Sequence, residues 1–398
     1  MTTRSTAFFI NGGAGRVIAS IPALEKFREA NPDDDFIIVC EGGTEFYKGH
    51  PDLDKRAYDL WHKHLFNDKI KDRNCVSPEP YRNWYYYNQK ASLGQAFDMI
   101  INNLDEPREL SIPTIKLNRE EVLNGEITLN EVRQITGKEK VIIIQPFGRG
   151  VSYRDGVFND STSRSIEYED LVNLIKKLQK KNHAVMVMAE MPIDFSVAKI
   201  EVPVPIPQGI TLRQWAGLIK GCDYFIGCDS VGQHIAHATD TPATVITGST
   251  YPINISHVNH KKFDIIDLGE KEREYAPIRI TPDEMCDRIN DGIMKMSEAR
   301  VEEVVKSVQN GLKKYPAKQT EIKMKAQLQG EGQQQQGEVC PVHGVVHEHG
   351  HQHHMPQQGM PMMAPPQAMN EAMAASTAMS SQFGVVPPKF NPSATKEK

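Results

Sequence analysis

A strand-sized apolar run near the start of the chain, Ala7-Phe8-Phe9-Ile10, breaks into Asn11-Gly12-Gly13-Ala14-Gly15 and then into helical periodicity. Val17, Ile21, Leu24 and Phe27 fall near one helical face, and a second strand-sized run, Phe36 to Cys40, follows. Strand, glycine-rich turn, helix and strand in this order make a βαβ unit, which demands a parallel sheet and a right-handed crossover. Pro22 lies early in the helical stretch, so a late helix start or a kink is expected there.

The same rhythm returns in the second half. Val141–Ile144 is a strand, Asp170 to Lys181 an amphipathic helix, and Ala184–Met188 a strand. Leu212 to Lys220 is helical, Tyr224–Ile226 a strand, Val231 to Ala238 a helix, and Ala243–Ile246 a strand. Thr281 to Tyr315 is helical with a break near Met296–Ser297. Between the two series, the segment from His62 to Lys90 is aromatic-rich and reads as a cleft loop or helical cap, while Asp105 to Lys138 reads as a connector. The fold class is therefore α/β, with two Rossmann-like domains facing across a cleft. The expected boundaries are residues 1–137, 138–318 and a tail at 319–398. In that tail Gln, Met, Pro and Ala displace the core-forming residues, so disorder is expected.

Forty-six basic and 51 acidic residues give a net charge of −5, which does not favour a polyanion binder. The six cysteines form no CxxC pair and three sit in or beside apolar runs, as expected of reduced thiols in a cytoplasmic protein. No apolar run is long enough to span a membrane, and the first residues do not read as a signal peptide. The tail carries Cys340, His343, His347, His349, His351, His353 and His354; this tract could bind metal or a partner, but its spacing fits no closed structural zinc site, and a solvated tail is the simpler reading. No metal site is assigned.

The chemistry-bearing stretch is Cys228-Asp229-Ser230-Val231-Gly232-Gln233-His234, between a strand and a helix. A helix start offers free N–H groups and a positive dipole end, the combination that binds phosphate. His234 can add a donor, and Asp229 can accept from a sugar hydroxyl. The alternative is that Asp229 and Ser230 only cap the helix and His234 is a satisfied core residue. A second turn, Gly248-Ser249-Thr250, follows the next strand, where small hydroxyl residues either line a ligand or make a plain turn.

These segments resemble glycosyltransferase family nine, the ADP-heptose:lipopolysaccharide heptosyltransferases, over roughly residues 7–270. The family's Asp-Ser/Thr-Gly-Pro-x-His stands here as Asp229 to His234, and its Gly-Pro-Thr loop as Gly248-Ser249-Thr250. Gly15-Arg16-Val17-Ile18-Ala19-Ser20-Ile21-Pro22-Ala23-Leu24 is similar to its Gly-Asp-x-x-x-Thr-x-Pro-Ala-Leu, and His50-Pro51-Asp52-Leu53-Asp54 to its His-Pro-x-(Ile/Val)-Asp. The resemblance implies a GT-B fold and metal-independent, inverting transfer of a sugar from a nucleotide-diphosphate donor, with no other cofactor. It assigns Asp229, Ser230, Gly232, Gln233, His234, Gly248, Ser249 and Thr250 to the donor, with Arg164 or Arg149 against the diphosphate and Glu190 against the nucleoside. Gly12, Gly13, Gly15 and Arg16 line the acceptor side.

The chain departs from the family where Arg16 replaces the Asp that serves as general base, because arginine keeps its proton at neutral pH. Glu41, at the end of the second strand, is the candidate replacement. Otherwise the acceptor needs little deprotonation, or it is an anion that Arg16 binds, or the chain is a non-catalytic binder of nucleotide or glycan. The acceptor is expected to be a saccharide or lipopolysaccharide-like hydroxyl. A modified DNA base is an alternative, for which the aromatic segment with Trp84 and Tyr85–Tyr87 would supply stacking.

Overall fold

The computed structural model describes residues 5–148, 150–154, 157–274 and 292–316, all within one compact unit. Arg149, much of the stretch from Thr281 and the whole tail from 319 lie outside the described residues. The front lobe runs β1 (Thr6–Ile10), α1 (Ala14–Ala30), β2 (Ile37–Cys40), β3 (Ala57–Asp59), β4 (Asn74–Val76), α2 (Trp84–Tyr87) and α3 (Leu93–Ile101). A long helix, α4 (Arg119–Thr136), leads to the rear lobe. There β5 (Lys140–Gln145), the hairpin β6 (Val151–Arg154) and β7 (Val157–Asp160), α5 (Tyr168–Lys180), β8 (His183–Val187) and α6 (Leu212–Gly221) follow. The chain continues through β9 (Tyr224–Gly227), α7 (Val231–Ala238), β10 (Ala243–Thr247), α8 (Pro252–Ile255), β11 (Phe263–Asp267) and α9 (Glu298–Lys314).

Among the described residues the front sheet has the order β3-β2-β1-β4 and the larger rear sheet β11-β10-β9-β5-β8, with every pairing in both sheets parallel. Strands such as Val141–Ile144 are buried on both faces because helices cover both sides, which is why they read as unbroken apolar runs. In each lobe the strand order reverses once, between β1 and β4 in front and between β5 and β9 behind. Ligands of doubly wound sheets bind in the crevice beyond the carboxyl ends of the strands at such a reversal. The front crevice lies between Asn11–Gly13 and Ser77–Glu79, bridged by Asn11 Nδ2 donating to Ser77 Oγ at 3.3 Å. The rear crevice lies between Pro146–Gly148 and Cys228–Ser230.

Three local expectations change. Helix α1 starts at Ala14 and runs on through Pro22 without a late start. Val17, Ile18, Ile21 and Leu24 are fully buried, and that packing outweighs the one backbone bond proline removes. The aromatic segment is more than a cap, since it contains β4, which completes the front sheet beside β1. The connector is mostly α4, closed at its start by a reciprocal bond pair between Asn118 and Glu121.

The lobes are clasped at two points. Arg213 of α6, almost fully buried, holds Glu121 with Nε and Nη2 at 2.5 and 2.6 Å and donates to the carbonyls of Glu45 (2.8 Å) and Lys116 (2.7 Å). Asn254 of α8 donates to the carbonyls of Tyr86 and Ala91, both at 2.9 Å.

Candidate functional site

Helix α7 begins at the rear crevice, and its start is organised by Gln145, the last residue of β5. Gln145 Oε1 accepts from the Gly232 amide at 2.8 Å, and its Nε2 donates to Ser230 Oγ at 3.1 Å. Ser230 occupies the capping position, yet its own side chain bonds no helix amide. Asp229 makes no capping bond either; its carboxylate faces Arg164, with Nη1 and Oδ2 3.6 Å apart.

Arg164 is presented by a tight turn built around Asp160. That carboxylate accepts from the amides of Thr162 (2.8 Å), Ser165 (2.9 Å) and Arg164 itself (3.2 Å), and from the hydroxyl of Ser165. Burial pushes the Asp160 carboxyl up, but the bonds from Ser165 and Thr162 and the nearby guanidinium outweigh it, leaving the group below its ordinary value. Burial likewise opposes the charge on Arg164, and Asp229 and Asp160 more than restore it. Ser249 Oγ donates to the Thr162 carbonyl at 2.7 Å, so the turn after β10 is fastened to the turn carrying Arg164.

In the front lobe, Gly12 has φ +91°, a conformation that suits glycine, and its amide donates to Glu41 Oε2 at 2.6 Å. Gly13 starts α1 with no side-chain cap. Arg16 is only 7% exposed. Its guanidinium lies over the rings of Tyr81 (5.0 Å) and Phe97 (5.5 Å) and 3.5 Å from Glu79 Oε2. The anion a cation needs beside a positive helix end thus comes from this chain's own Glu79. Tyr81 also lies within electrostatic reach of Arg164, so this front-lobe segment borders the rear-lobe site.

The starts of α1 and α7 meet. A methyl group added at Gly15 would lie 2.9 Å from His234 Cδ2 and 3.4 Å from its Nε2, so only glycine lets the imidazole edge reach α1. His234 is 5% exposed. Burial pushes it down to about 4 against the pull of Asp229, so it is neutral at pH 7. Its Nδ1 is 3.2 Å from His257 Nε2. Several buried polar atoms of these segments have no partner among the described residues: both amide atoms of Gln233 and Arg16 Nε at the helix starts, and Thr250 Oγ1 in the turn after β10. A buried polar group left unpaired costs about 1–3 kcal/mol, so such a group points to a place that receives a polar ligand or water.

The comparisons with known proteins bear on the same residues. A family model described as glycosyltransferase family 9 (heptosyltransferase) matches residues 169–275, a span that includes Asp229 to His234 and Gly248 to Thr250. That span lies within the rear lobe, which is therefore similar to this family over residues 169–275. The fold agrees with two solved structures. A glycosyl transferase family 9 protein from Veillonella parvula is 13% identical with a TM-score of 0.54, covering 77% of this chain and 97% of its own. The ADP-heptose lps heptosyltransferase II of E. coli is 11% identical with a TM-score of 0.51, covering 77% and 99%. At these identities the likeness is one of fold, and the fold is GT-B. Among curated proteins no match was found.

Of the residues singled out from sequence, the structure brings together Arg164, Asp229, Ser230, Gly232 and His234 around the family 9 motif, with Ser249 tied in through Thr162 and Gly15 arriving from the front lobe. Gly248 and Thr250 flank Ser249. Glu41 is held to the Gly12 loop. Glu190 is exposed beyond the end of β8 and makes no hydrogen bond to these residues. Arg149 lies outside the described residues. Sequence reasoning missed Gln145, Glu79, Tyr81, Asp160 and His257. Gln145 is the polar residue that directly follows the apolar run Val141–Ile144, a signal that was available; the others carry none in the sequence. Among the described residues no group of three or more His, Cys, Asp or Glu is arranged to hold a metal ion, and no helix is long and apolar enough to cross a membrane.

Proposed function

We propose that this protein transfers a sugar from a nucleotide-diphosphate donor to the hydroxyl of a saccharide or lipopolysaccharide-like acceptor, in the cytoplasm, with inversion and without a metal ion. The observation that carries this reading is the buried Gln233 amide at the start of α7, unpartnered among the described residues and next to His234, with Arg164 held against Asp229 of the same motif. In the reaction the acceptor oxygen attacks the anomeric carbon as the bond from that carbon to the diphosphate oxygen breaks. The electron pair leaves with the nucleoside diphosphate. Negative charge growing on the leaving group is stabilised by the Arg164 guanidinium, the positive end of α7 and the His234 N–H, fixed groups that need no reorganisation. Asp229, besides holding Arg164, can accept from a donor hydroxyl, and Ser249 and Thr250 line the same side. Arg149 and Glu190 are assigned to the diphosphate and nucleoside by resemblance.

The proton of the acceptor hydroxyl goes to Glu41. Glu79 is committed to Arg16 and to the Tyr81 amide (3.3 Å), whereas Glu41 spends one oxygen on Gly12 and is exposed. A general base must reach the proton it removes and keep a free lone pair. The Arg16 substitution favours one rival, a non-catalytic nucleotide or glycan binder.

A panel of nucleotide sugars separates the two. The transferase reading expects donor-dependent thermal stabilisation, release of nucleoside diphosphate with a saccharide acceptor, and no loss of release in EDTA. Asp229→Ala and His234→Ala should each abolish the stabilisation, and Glu41→Gln should retain it while slowing release at least 100-fold. Stabilisation unchanged in Asp229→Ala and His234→Ala contradicts the donor-site assignment; binding without release for every acceptor favours the binder.

A further inference from the structure

Behind His234 lies a group of histidines that neither the motif nor the resemblance includes. His257, on the chain just after α8, approaches His234 with the two rings nearly perpendicular (88°) and Nε2 3.2 Å from His234 Nδ1. His237, one turn along α7 from His234, stacks on His257 with centroids 3.7 Å apart and planes 13° apart. His260 stands edge-on to His237 at 5.0 Å and is anchored by its Nε2 3.5 Å from Asp240 Oδ1. Phe263 closes the group with its ring perpendicular to those of His237, His257 and His260. His257 is therefore stacked on one face by His237 and met perpendicularly by Phe263, and this packing sets its approach to His234.

The contact leaves His234 Nε2 as the nitrogen that faces the start of α1, and among the described residues no group bonds it. A neutral imidazole carries one proton, and the bond made by one nitrogen decides which nitrogen has it. If His257 donates, the His234 proton stays on Nε2; if His257 accepts, Nε2 presents a lone pair. The positive ends of α1 and α7 meet at this nitrogen. An anion attracted there is repelled by a lone pair and held by an N–H. The nearest carboxylate to bear on His234 is Asp229, already facing Arg164; Asp240, Lys261 and Lys262 act on His260 at the far side of the group.

We propose that His257 is a positioning residue for His234: its Nε2–H donates to His234 Nδ1, keeps the His234 proton on Nε2, and so presents an N–H donor to the diphosphate at the start of α7. The proposal rests on the donor-site reading above, and its structural half is testable without it. All four rings are pushed below the ordinary histidine value by burial, so the pair is neutral and the tautomer, rather than the charge, carries the effect.

The test combines ring-nitrogen NMR on histidine-labelled full-length protein with titration of ADP, GDP, UDP and CDP. Wild type is expected to show His234 protonated on Nε2 and His257 protonated on Nε2. His257→Phe, which keeps the ring stack and removes the donor, should give mixed His234 tautomers and weaken the preferred diphosphate about tenfold, with the parent nucleoside bound equally by both proteins. His257→Gln, whose amide N–H can stand near the lost Nε2, should recover affinity to within about threefold. The proposal is overturned if wild-type His234 is protonated on Nδ1, or if His257→Phe leaves tautomer and affinity unchanged. If His257→Phe does not fold, the wild-type tautomers decide. If wild type binds none of the four diphosphates, the donor-site reading fails, and the NMR still decides whether His257 sets the His234 proton.

Discussion

At the scale of single residues, the site depends on what is missing as much as on what is present. Gly15 has no side chain because the His234 ring occupies that space at the meeting of α1 and α7. Gly15→Ala should therefore displace the imidazole and weaken diphosphate binding at least tenfold, while the melting temperature falls by only a few degrees; titration and thermal melting check both halves. The bland reading of the motif, a capped helix with a satisfied histidine, fails on particular bonds. Among the described residues Ser230 and Asp229 make no capping bond, and His234 Nε2 has no partner. Arg16 shows the opposite outcome. From sequence it lines the acceptor side, where it could bind an anionic acceptor, and the fold buries it against Tyr81 and Phe97 and pairs it with Glu79. Those partners come from a segment over sixty residues away, so only tertiary structure can show that its charge is already answered.

At the scale of elements, most of the fold was legible because a parallel sheet covered on both faces writes itself as short apolar runs separated by amphipathic helices. Val141–Ile144 and Leu171, Leu174, Ile175 and Leu178 are the plainest cases. Strand β4 was not legible. Three residues at an edge, Asn74 to Val76, are too few for periodicity, and the surrounding aromatics mask them. Helix α4 was missed for a different reason. Its buried side is narrow, with Gly125, Leu129 and Val132 as its buried residues, because it approaches α6 so closely that little side chain intervenes. A methyl group at Gly125 would lie 2.6 Å from the Gly217 carbonyl carbon. Gly125→Ala should force the helices apart and lower stability by about 1–3 kcal/mol, measured by urea unfolding. A loss below 0.5 kcal/mol would show that the two helices can slide without cost.

At the scale of the whole molecule, two parallel sheets place their reversal points against each other, and the family 9 motif sits at the rear one. Placing the site there also packs four histidines together, His234 buried and the other three largely withdrawn from water, which gives stability a definite pH dependence. The folded values of His234 and His237 lie at about 4 and about 3, below the ordinary 6.5 of an unfolded chain. The unfolded chain therefore takes up protons first as pH falls. Stability should be full above pH 6.5 and decline between pH 6.5 and 4, at up to about 1.4 kcal/mol per pH unit for each ring. Urea midpoints from pH 7 to 4.5 measure this, and His237→Phe should flatten the slope; a flat wild-type profile would mean the rings are not held neutral. A crystal structure with a nucleoside diphosphate bound tests the donor site most directly. Its phosphates are expected at the start of α7, within hydrogen-bond distance of the Arg164 guanidinium and His234 Nε2. Phosphates bound elsewhere, with His234 still packed against α1, would contradict that assignment.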